Sequence, residues 1–436
     1  PPPAAMAARA AGAAVGETVA CLAAHDTTGV LRRDNIARRA VGANDVAIDI
    51  KYCGICHSDL HSVRGEWDQT AYYPMVPGHE ITGIVAAVGS AVDKWRVGDR
   101  VGVGVFVDSC RECEQCKAGL EQYCDGPAAS DGLHLTYNKL LTAAPAIINT
   151  PSGVREGELL HGGYSSAIVV DQGYIVKIPD ALPLDKAAPL LCAGITTYSP
   201  LVHWGAKAGG ASVSVGVVGL GGLGHCAVKF SHAMGNAVHV ISTSPWKAAA
   251  AAAMGAKFIN SKDPSSMAAA AGSLDLIINT VSADHDVAPY LKLLKISGTM
   301  VLVGLPPNPL AIRPFDVVGR RVALAGSTIG SIAETQEMLD YAAEGERVGV
   351  CVPDVRVIPA KDANHALATL SRNANAARRF VIDVGGTMGD TEAVEEDDAI
   401  DPSSWRVLAR VLPASANKHT HTSTTTTTTT TTTIAV

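Results

Sequence analysis

The chain has no block of basic residues, no apolar run of membrane-spanning length and few charges for its size. Its 436 residues carry a net charge of −7, and only 18% are charged. An acidic balance without a cationic patch offers nothing for nucleic acid or an anionic bilayer to pair with. A transmembrane helix needs about 20 predominantly apolar residues in succession. The expected partners are therefore small molecules, with neither nucleic acid nor membrane among them. The ten cysteines lack the spacing of a small cross-linked domain and no secretory signal is read, so the expected setting is reducing and cytoplasmic.

With 47% hydrophobic residues, a chain this long exceeds one ordinary core and is expected to form two domains with appendages. The appendages are its ends. Residues 1–16, PPPAAMAARAAGAAVG, are of low complexity and expected to be disordered, with Met6 as the expected start. The tail 387–436 contains an acidic stretch and closes near ten consecutive threonines, Thr424 to Thr433. A homopolymer of one polar residue cannot build a packed core.

The clearest local signal is CRECEQCKAGLEQYC, with Cys110, Cys113, Cys116 and Cys124. One loop at this spacing can wrap four thiolates around a tetrahedral ion. Zinc with four sulfur ligands is closed to substrate, so the site reads as structural. A pair of disulfides is the competing and less economical reading.

A second signal follows the β-rich run Val213–Val218. There GLGGLG places Gly219, Gly221 and Gly224 in the pattern G-x-G-x-x-G, with Leu220, Gly222 and Leu223 completing the turn, and Leu223–Met234 reads as a helix. Such glycines permit a tight turn, close approach to a pyrophosphate and close helix–strand packing. A second strand, Ala237–Ile241, ends not on the carboxylate that would bond a ribose 2′-hydroxyl but on Ser242, Thr243 and Ser244, with Lys247 beyond. Hydroxyls and an ammonium suit a 2′-phosphate, which a carboxylate would repel; NADP(H) is the expected cofactor. Further strands at Asp275–Asn279 and Thr299–Leu305, spaced by helical segments, imply an α/β fold with a doubly wound parallel sheet.

The third signal is dispersed: CGICHSDLH from Cys53 to His61, GHE at Gly78–Glu80, and LLCAG around Cys192. A catalytic zinc takes about three protein ligands and keeps one position open. Two sulfurs and an imidazole from separate segments meet that need, although each residue alone could be core.

These stretches, with YPMVPGHEITG, VGDRVGVG, AAPLLCAGITTYSPL, GVVGLGGLGH, VISTSP, LVGLP and GSTIGS, resemble the zinc-dependent medium-chain alcohol dehydrogenases. The resemblance is strongest to the plant cinnamyl alcohol dehydrogenase group and covers about residues 20 to 386. It implies a GroES-like β-rich catalytic domain, 17–192 with 326–386, and a Rossmann NADP-binding domain, 193–325. It also implies two zinc ions per chain, the catalytic one held by Cys56, His79 and Cys192 with Glu80 able to approach, while Cys53 packs. Ser58, His61 and Glu66 match a proton relay. His57 matches a residue near the pyrophosphate, Thr196 one beside the nicotinamide, and Gly304, Thr328, Ile329 and Gly330 positions around the cofactor. By the same resemblance, the chain is a homodimer that interconverts cinnamyl-type aldehydes and alcohols in phenylpropanoid and lignin chemistry.

The pocket departs from that pattern. Members dedicated to lignin alcohols carry a tryptophan where this chain has Ala129 and a phenylalanine where it has Thr328, while Trp67 matches a subgroup with broader substrates. An NAD-linked mannitol or general alcohol dehydrogenase is thus one alternative, and a catalytically silent nucleotide-binding homologue another. The segment 143–161 is expected as a surface excursion, and Ala248–Ala253 as a helix with little surface charge.

Overall fold

The computed structural model describes residues 18–67, 70–126, 132–141, 157–207, 212–372 and 379–390. Ala129, the N-terminal low-complexity run, 143–156 and the tail beyond 390 lie outside the described residues.

The N-terminal half is built of short strands. β1 (Thr18–Ala24) and β2 (Leu31–Ala37) form an antiparallel hairpin. β3 (Asp45–Gly54), β4 (Ile81–Val88), β5 (Arg100–Val103), β6 (Phe106–Asp108), β7 (His134–Leu135), β8 (Ala167–Asp171) and β9 (Val176–Lys177) follow. β3 is the hub, pairing antiparallel with β4 and with β8. Val46, Ile48 and Ile50 alternate along it and are all buried, the period-two pattern of a strand facing a core. The same strand ends at Gly54 and runs straight into the Cys56 segment.

The chain then leaves this sheet and builds another. β10 (Ser214–Val218), β11 (Ala237–Ser242), β12 (Lys257–Asn260), β13 (Leu274–Asn279), β14 (Leu294–Leu302) and β15 (Ala323–Gly326) pair in parallel in the order β12-β11-β10-β13-β14-β15. That is the 3-2-1-4-5-6 order of a Rossmann sheet. Helices at Gly222–Ala233, Ala248–Ala253, Pro264–Ala269, Ala288–Leu291 and Pro314–Val318 occupy the crossovers. The order places the crevice for a ligand outside the carboxyl ends of β10 and β13, where successive connections diverge. The expected strand Thr299–Leu305 proves to start earlier and stop sooner. Ser297, at φ 65°, bends the strand internally. At its end Val303 and Gly304 both donate to the Asn279 carbonyl, turning the chain off the ladder.

After the helix Ile332–Ala343, β16 (Val355–Pro359) and β17 (Arg379–Asp383) return to the first sheet and extend it as β16-β17-β3-β4-β5-β9. The parallel sheet is thus an excursion from the β-rich one. Packing continues beyond 386: Met388 is 1% exposed, and its carbonyl accepts from Arg33 Nη1 at 2.9 Å.

Among the described residues, an extensive apolar cluster joins the helix Ala193–His203 to Gly222–Ala233, β10 and β13. At its heart Tyr198 and Phe230 meet edge to face, with centroids 5.4 Å apart. Truncating a ring buried as fully as Phe230 costs about 3–5 kcal/mol. This packing fixes the segment that carries Cys192 against the sheet that carries the glycine turn. Among the described residues no helix is long and apolar enough to cross a membrane.

Candidate metal and cofactor sites

Cys56 stands just before the helix His57–Arg64, His79 and Glu80 just before β4, and Cys192 just before Ala193–His203. Backbone bonds hold the first two segments side by side, with Gly54 N–H donating to the Glu80 carbonyl at 2.9 Å. The ligand atoms of Cys56, His79, Glu80 and Cys192 all lie within 4.8 Å of one another, and His79 Nε2 is 3.3 Å from Cys192 Sγ. Cys53 is fully buried outside this group, and burial pushes its thiol pKa well up.

Asp59, absent from the sequence reading, organises the group. Its carboxylate accepts from Cys56 N–H at 2.9 Å, Gly78 N–H at 3.0 Å and the Tyr164 hydroxyl at 3.0 Å. His79 Nδ1 lies 3.1 Å away as the fourth donor, which turns Nε2 towards the sulfur. Burial alone would lower the His79 pKa, but Asp59 and Cys56 together outweigh it and hold the pKa well above its ordinary value. The hydrogen bond with Cys192 lowers Cys56 well below the ordinary thiol range despite burial. Metal ligands bind deprotonated, so a thiolate beside an imidazole backed by a carboxylate suits zinc.

Glu80 is fully buried, and burial pushes its pKa up to about 7. One of its oxygens pairs with Arg379 Nη2, and the other, Oε2, has no hydrogen-bond partner. A buried acceptor left open beside two sulfurs and an imidazole is the observation by which this donor set fits a cation. Arg379 comes from β17 and was also missed; a lone arginine before FVIDV carries no local signal.

Helix His57–Arg64 brings the expected relay residues to the same place. Ser58 Oγ lies 3.5 Å from Cys56 Sγ. His61, three residues on, shares the Ser58 face of the helix. Its Nδ1 lies 2.6 Å from Glu66 Oε2. Burial would raise Glu66, but His61 and Arg64 outweigh it and keep the carboxyl low. The Trp67 ring stacks on His61 with centroids 5.1 Å apart. His57 Nε2 lies 2.9 Å from the Leu370 carbonyl, which ties it to the C-terminal helix Ala363–Ser371.

In the four-cysteine loop, Cys110 and Cys116 sulfurs are 3.9 Å apart, and those of Cys113 and Cys124 4.0 Å. Sulfurs about 2.3 Å from a tetrahedral zinc stand roughly 3.8 Å apart, so the loop fits the ion. Backbone N–H groups of Cys110, Cys113 and Cys116 point at Cys124, Cys110 and Cys113 sulfurs respectively. All ten cysteines are free, which sets the disulfide alternative aside.

The glycine turn has its expected form. Gly219 takes φ 88° directly after β10, and a side chain at Gly224 would meet the Gly219 carbonyl at 2.3 Å. Gly221 precedes the helix Gly222–Ala233, while Leu220 is buried and Leu223 packs on the core. At the end of β11, Ser242 Oγ accepts from Ser244 N–H at 3.3 Å, with Thr243 between them. Lys247 Nζ reaches back to the Leu220 carbonyl at 3.3 Å.

Thr196 is buried one turn after Cys192. Gly304 leaves no room for a side chain, which would meet the Val281 carbonyl at 2.3 Å. Thr328 is exposed and its N–H donates to the Tyr123 hydroxyl at 3.3 Å. Ile329 sits at φ 38°, a strained place for a β-branched residue, beside Gly330.

Known proteins match over nearly the whole described chain. Residues 42–180 match the alcohol dehydrogenase GroES-like domain, and residues 222–344 the zinc-binding dehydrogenase domain. An NADP-dependent alcohol dehydrogenase C of Mycolicibacterium smegmatis is 50% identical over 367 residues, covering 84% of this chain and 98% of that protein. A cinnamyl alcohol dehydrogenase structure from Sorghum bicolor superposes with a TM-score of 0.77 at 44% identity, covering 86% of this chain and 100% of that one. The CAD of Helicobacter pylori, solved with NADP(H), gives 0.74 at 38% identity, covering 85% and 99%. With both domains matched, and half the residues shared with a relative covered almost end to end, this chain belongs to the zinc-binding alcohol dehydrogenase family.

Proposed function

We propose that the chain interconverts aldehydes and primary alcohols with NADP(H), using one catalytic and one structural zinc. The observation that carries this reading is the buried convergence of Cys56, His79, Glu80 and Cys192 beside Ser58. Zinc, when bound there, supplies Lewis acidity to the substrate oxygen, and the nicotinamide supplies the hydride.

The chain's own residues position the reactants and move the proton. Cys56, His79 and Cys192 would hold the metal, with the Glu80 carboxylate beside them as a further donor. Ser58 Oγ bonds the substrate oxygen and exchanges a proton with it. His61 takes the next step: Glu66 occupies its Nδ1, which orients the ring, and its side chain is 32% exposed, so it can exchange with solvent. Gly219–Gly224 and the helix N-terminus at Gly222 receive the pyrophosphate with His57 nearby. Ser242, Thr243, Ser244 and Lys247 receive the 2′-phosphate. Thr196 lies beside the nicotinamide, and Gly304 and Thr328–Gly330 lie around the cofactor. The domain limits inferred are 17–192 with 326–386 for the catalytic part and 193–325 for the cofactor part.

Cinnamyl-type aldehydes are the inferred substrates, with a place in phenylpropanoid and lignin chemistry. Trp67, stacked on His61, is the inferred aromatic wall, because Thr328 and Ala129 stand where dedicated enzymes carry rings. The inferred assembly is a cytoplasmic homodimer; the outer strand β15 and the exposed Phe315 and Val318 near it support a covered face. A panel of cinnamaldehyde, coniferaldehyde and aliphatic aldehydes with NADPH tests the substrate reading. Each missing aromatic wall is worth about 0.5–1.5 kcal/mol, so specificity constants should fall within about two decades of one another. Strong preference for coniferaldehyde would show that other side chains build a tight aromatic pocket.

A further inference from the structure

Trp246 is 75% exposed, in a chain where only 5% of residues are aromatic. Tryptophan is on average highly buried, so a solvent-facing indole asks what it contacts. Its surroundings answer by position. Gly219 N–H donates to the Ile241 carbonyl at 2.9 Å, so the end of β11 touches the glycine turn. The short turn Pro245–Lys247 follows almost at once. Pro245 fixes its first φ, and Lys247 N–H closes it onto the Ser244 carbonyl at 3.0 Å. Lys247 Nζ then bonds the Leu220 carbonyl and lies 5.2 Å from the Trp246 ring centroid.

Indole, ammonium and glycine turn therefore share one rim. The following residues, Ala248–Ala253, offer no long side chain to cover the indole. In a Rossmann sheet the pyrophosphate sits at the glycine turn and the ribose at the end of the second strand. The purine attached to that ribose must lie at the outer end of the same line, where Trp246 stands.

We propose that Trp246 stacks on the adenine ring of the dinucleotide, while the same indole holds Lys247 in place for the neighbouring ribose phosphate. The phosphate half rests on the NADP(H) reading; the stacking half needs adenine alone. Bases stack on aromatic side chains without regard to their phosphates, and an ammonium is attracted to the face of an indole.

Calorimetric titration with 5′-AMP and with adenosine 2′,5′-bisphosphate, followed in parallel by tryptophan fluorescence, separates the two. Trp246→Ala should weaken both ligands by at least about fivefold, and Trp246→Phe should retain most of the affinity. The parent protein should show fluorescence quenching on binding, and both variants should lose it. Lys247→Ala should weaken the bisphosphate alone. Unchanged 5′-AMP binding by Trp246→Ala would overturn the stacking, as would a loss confined to the bisphosphate. Equal binding of the two ligands by the parent would defeat the NADP(H) reading, while the 5′-AMP arm would still decide the role of Trp246. The side chain is solvent-facing, so parent-like melting of the variants is expected and shows that binding, not folding, is read.

Discussion

Asp59 gathers four donors, from Cys56, Gly78, His79 and Tyr164, and so decides how two metal-site segments face each other. Asp59→Asn replaces one acceptor by a donor aimed at donors. Loss of such an outer partner typically costs 10–100-fold in metal affinity. The variant should therefore keep its four-cysteine zinc but lose the other to a chelator that leaves the parent intact, so that metal analysis falls from two ions per chain towards one. At the end of β11, Lys247→Ala removes the group proposed to make a charge-assisted bond to the 2′-phosphate. It should weaken NADPH by about 1.5–3 kcal/mol and leave NADH nearly untouched in direct binding measurements; equal losses would show that Lys247 reads no 2′-phosphate. Cys56, His79, Cys192 and the glycines were legible in the sequence because their chemistry and spacing are local or carried by recognisable stretches. Asp59 and Arg379 were not. Asp59 left only a faint trace, a carboxylate three residues into a helix, where it caps the Cys56 N–H. Arg379 acquires its role only when β17 pairs beside β3.

Loops and short helices divide the labour between the two metal sites. The four-cysteine loop braces the segment 328–334. Tyr123 accepts from Thr328 N–H, Glu121 from Ile332 N–H at 3.4 Å, and Gln122 donates to Glu334 at 3.4 Å. Binding energy at a structural zinc adds directly to folding stability. Cys113→Ser should therefore lower stability by roughly 3 kcal/mol or more, seen as an earlier thermal unfolding transition. Cys56→Ser should abolish turnover with little change in that transition. Similar behaviour of the two variants would refute the division. The parallel strands were readable from their Val- and Ile-rich runs, which are buried on both faces. The return of β16 and β17 to the first sheet was expected only through the family resemblance, which joined 326–386 to 17–192; local pattern does not show it, because strand pairing across so long an excursion is set by the tertiary fold. The start of β14 was missed for a simpler reason: Ser297 and Gly298 look like a break, yet the strand passes through them with a bend.

On the scale of the molecule, two sheets of different character share one chain, and the proposed reaction draws on parts of both. The β-rich sheet supplies the metal donors and the relay helix, and the parallel sheet supplies the glycine turn and the rim at Ser242–Lys247. The absence of basic blocks fits a protein whose main anionic ligand is met by a few placed groups rather than by a broad field. The central claim is that this arrangement transfers hydride between NADP(H) and a carbonyl carbon. Initial rates of cinnamaldehyde reduction, measured with NADPH and with NADH under the same conditions, test it most directly. The account predicts turnover with kcat/KM at least about tenfold higher for NADPH and none for Cys56→Ser. Preference for NADH, or no turnover with either cofactor in protein holding two zinc ions, would contradict it.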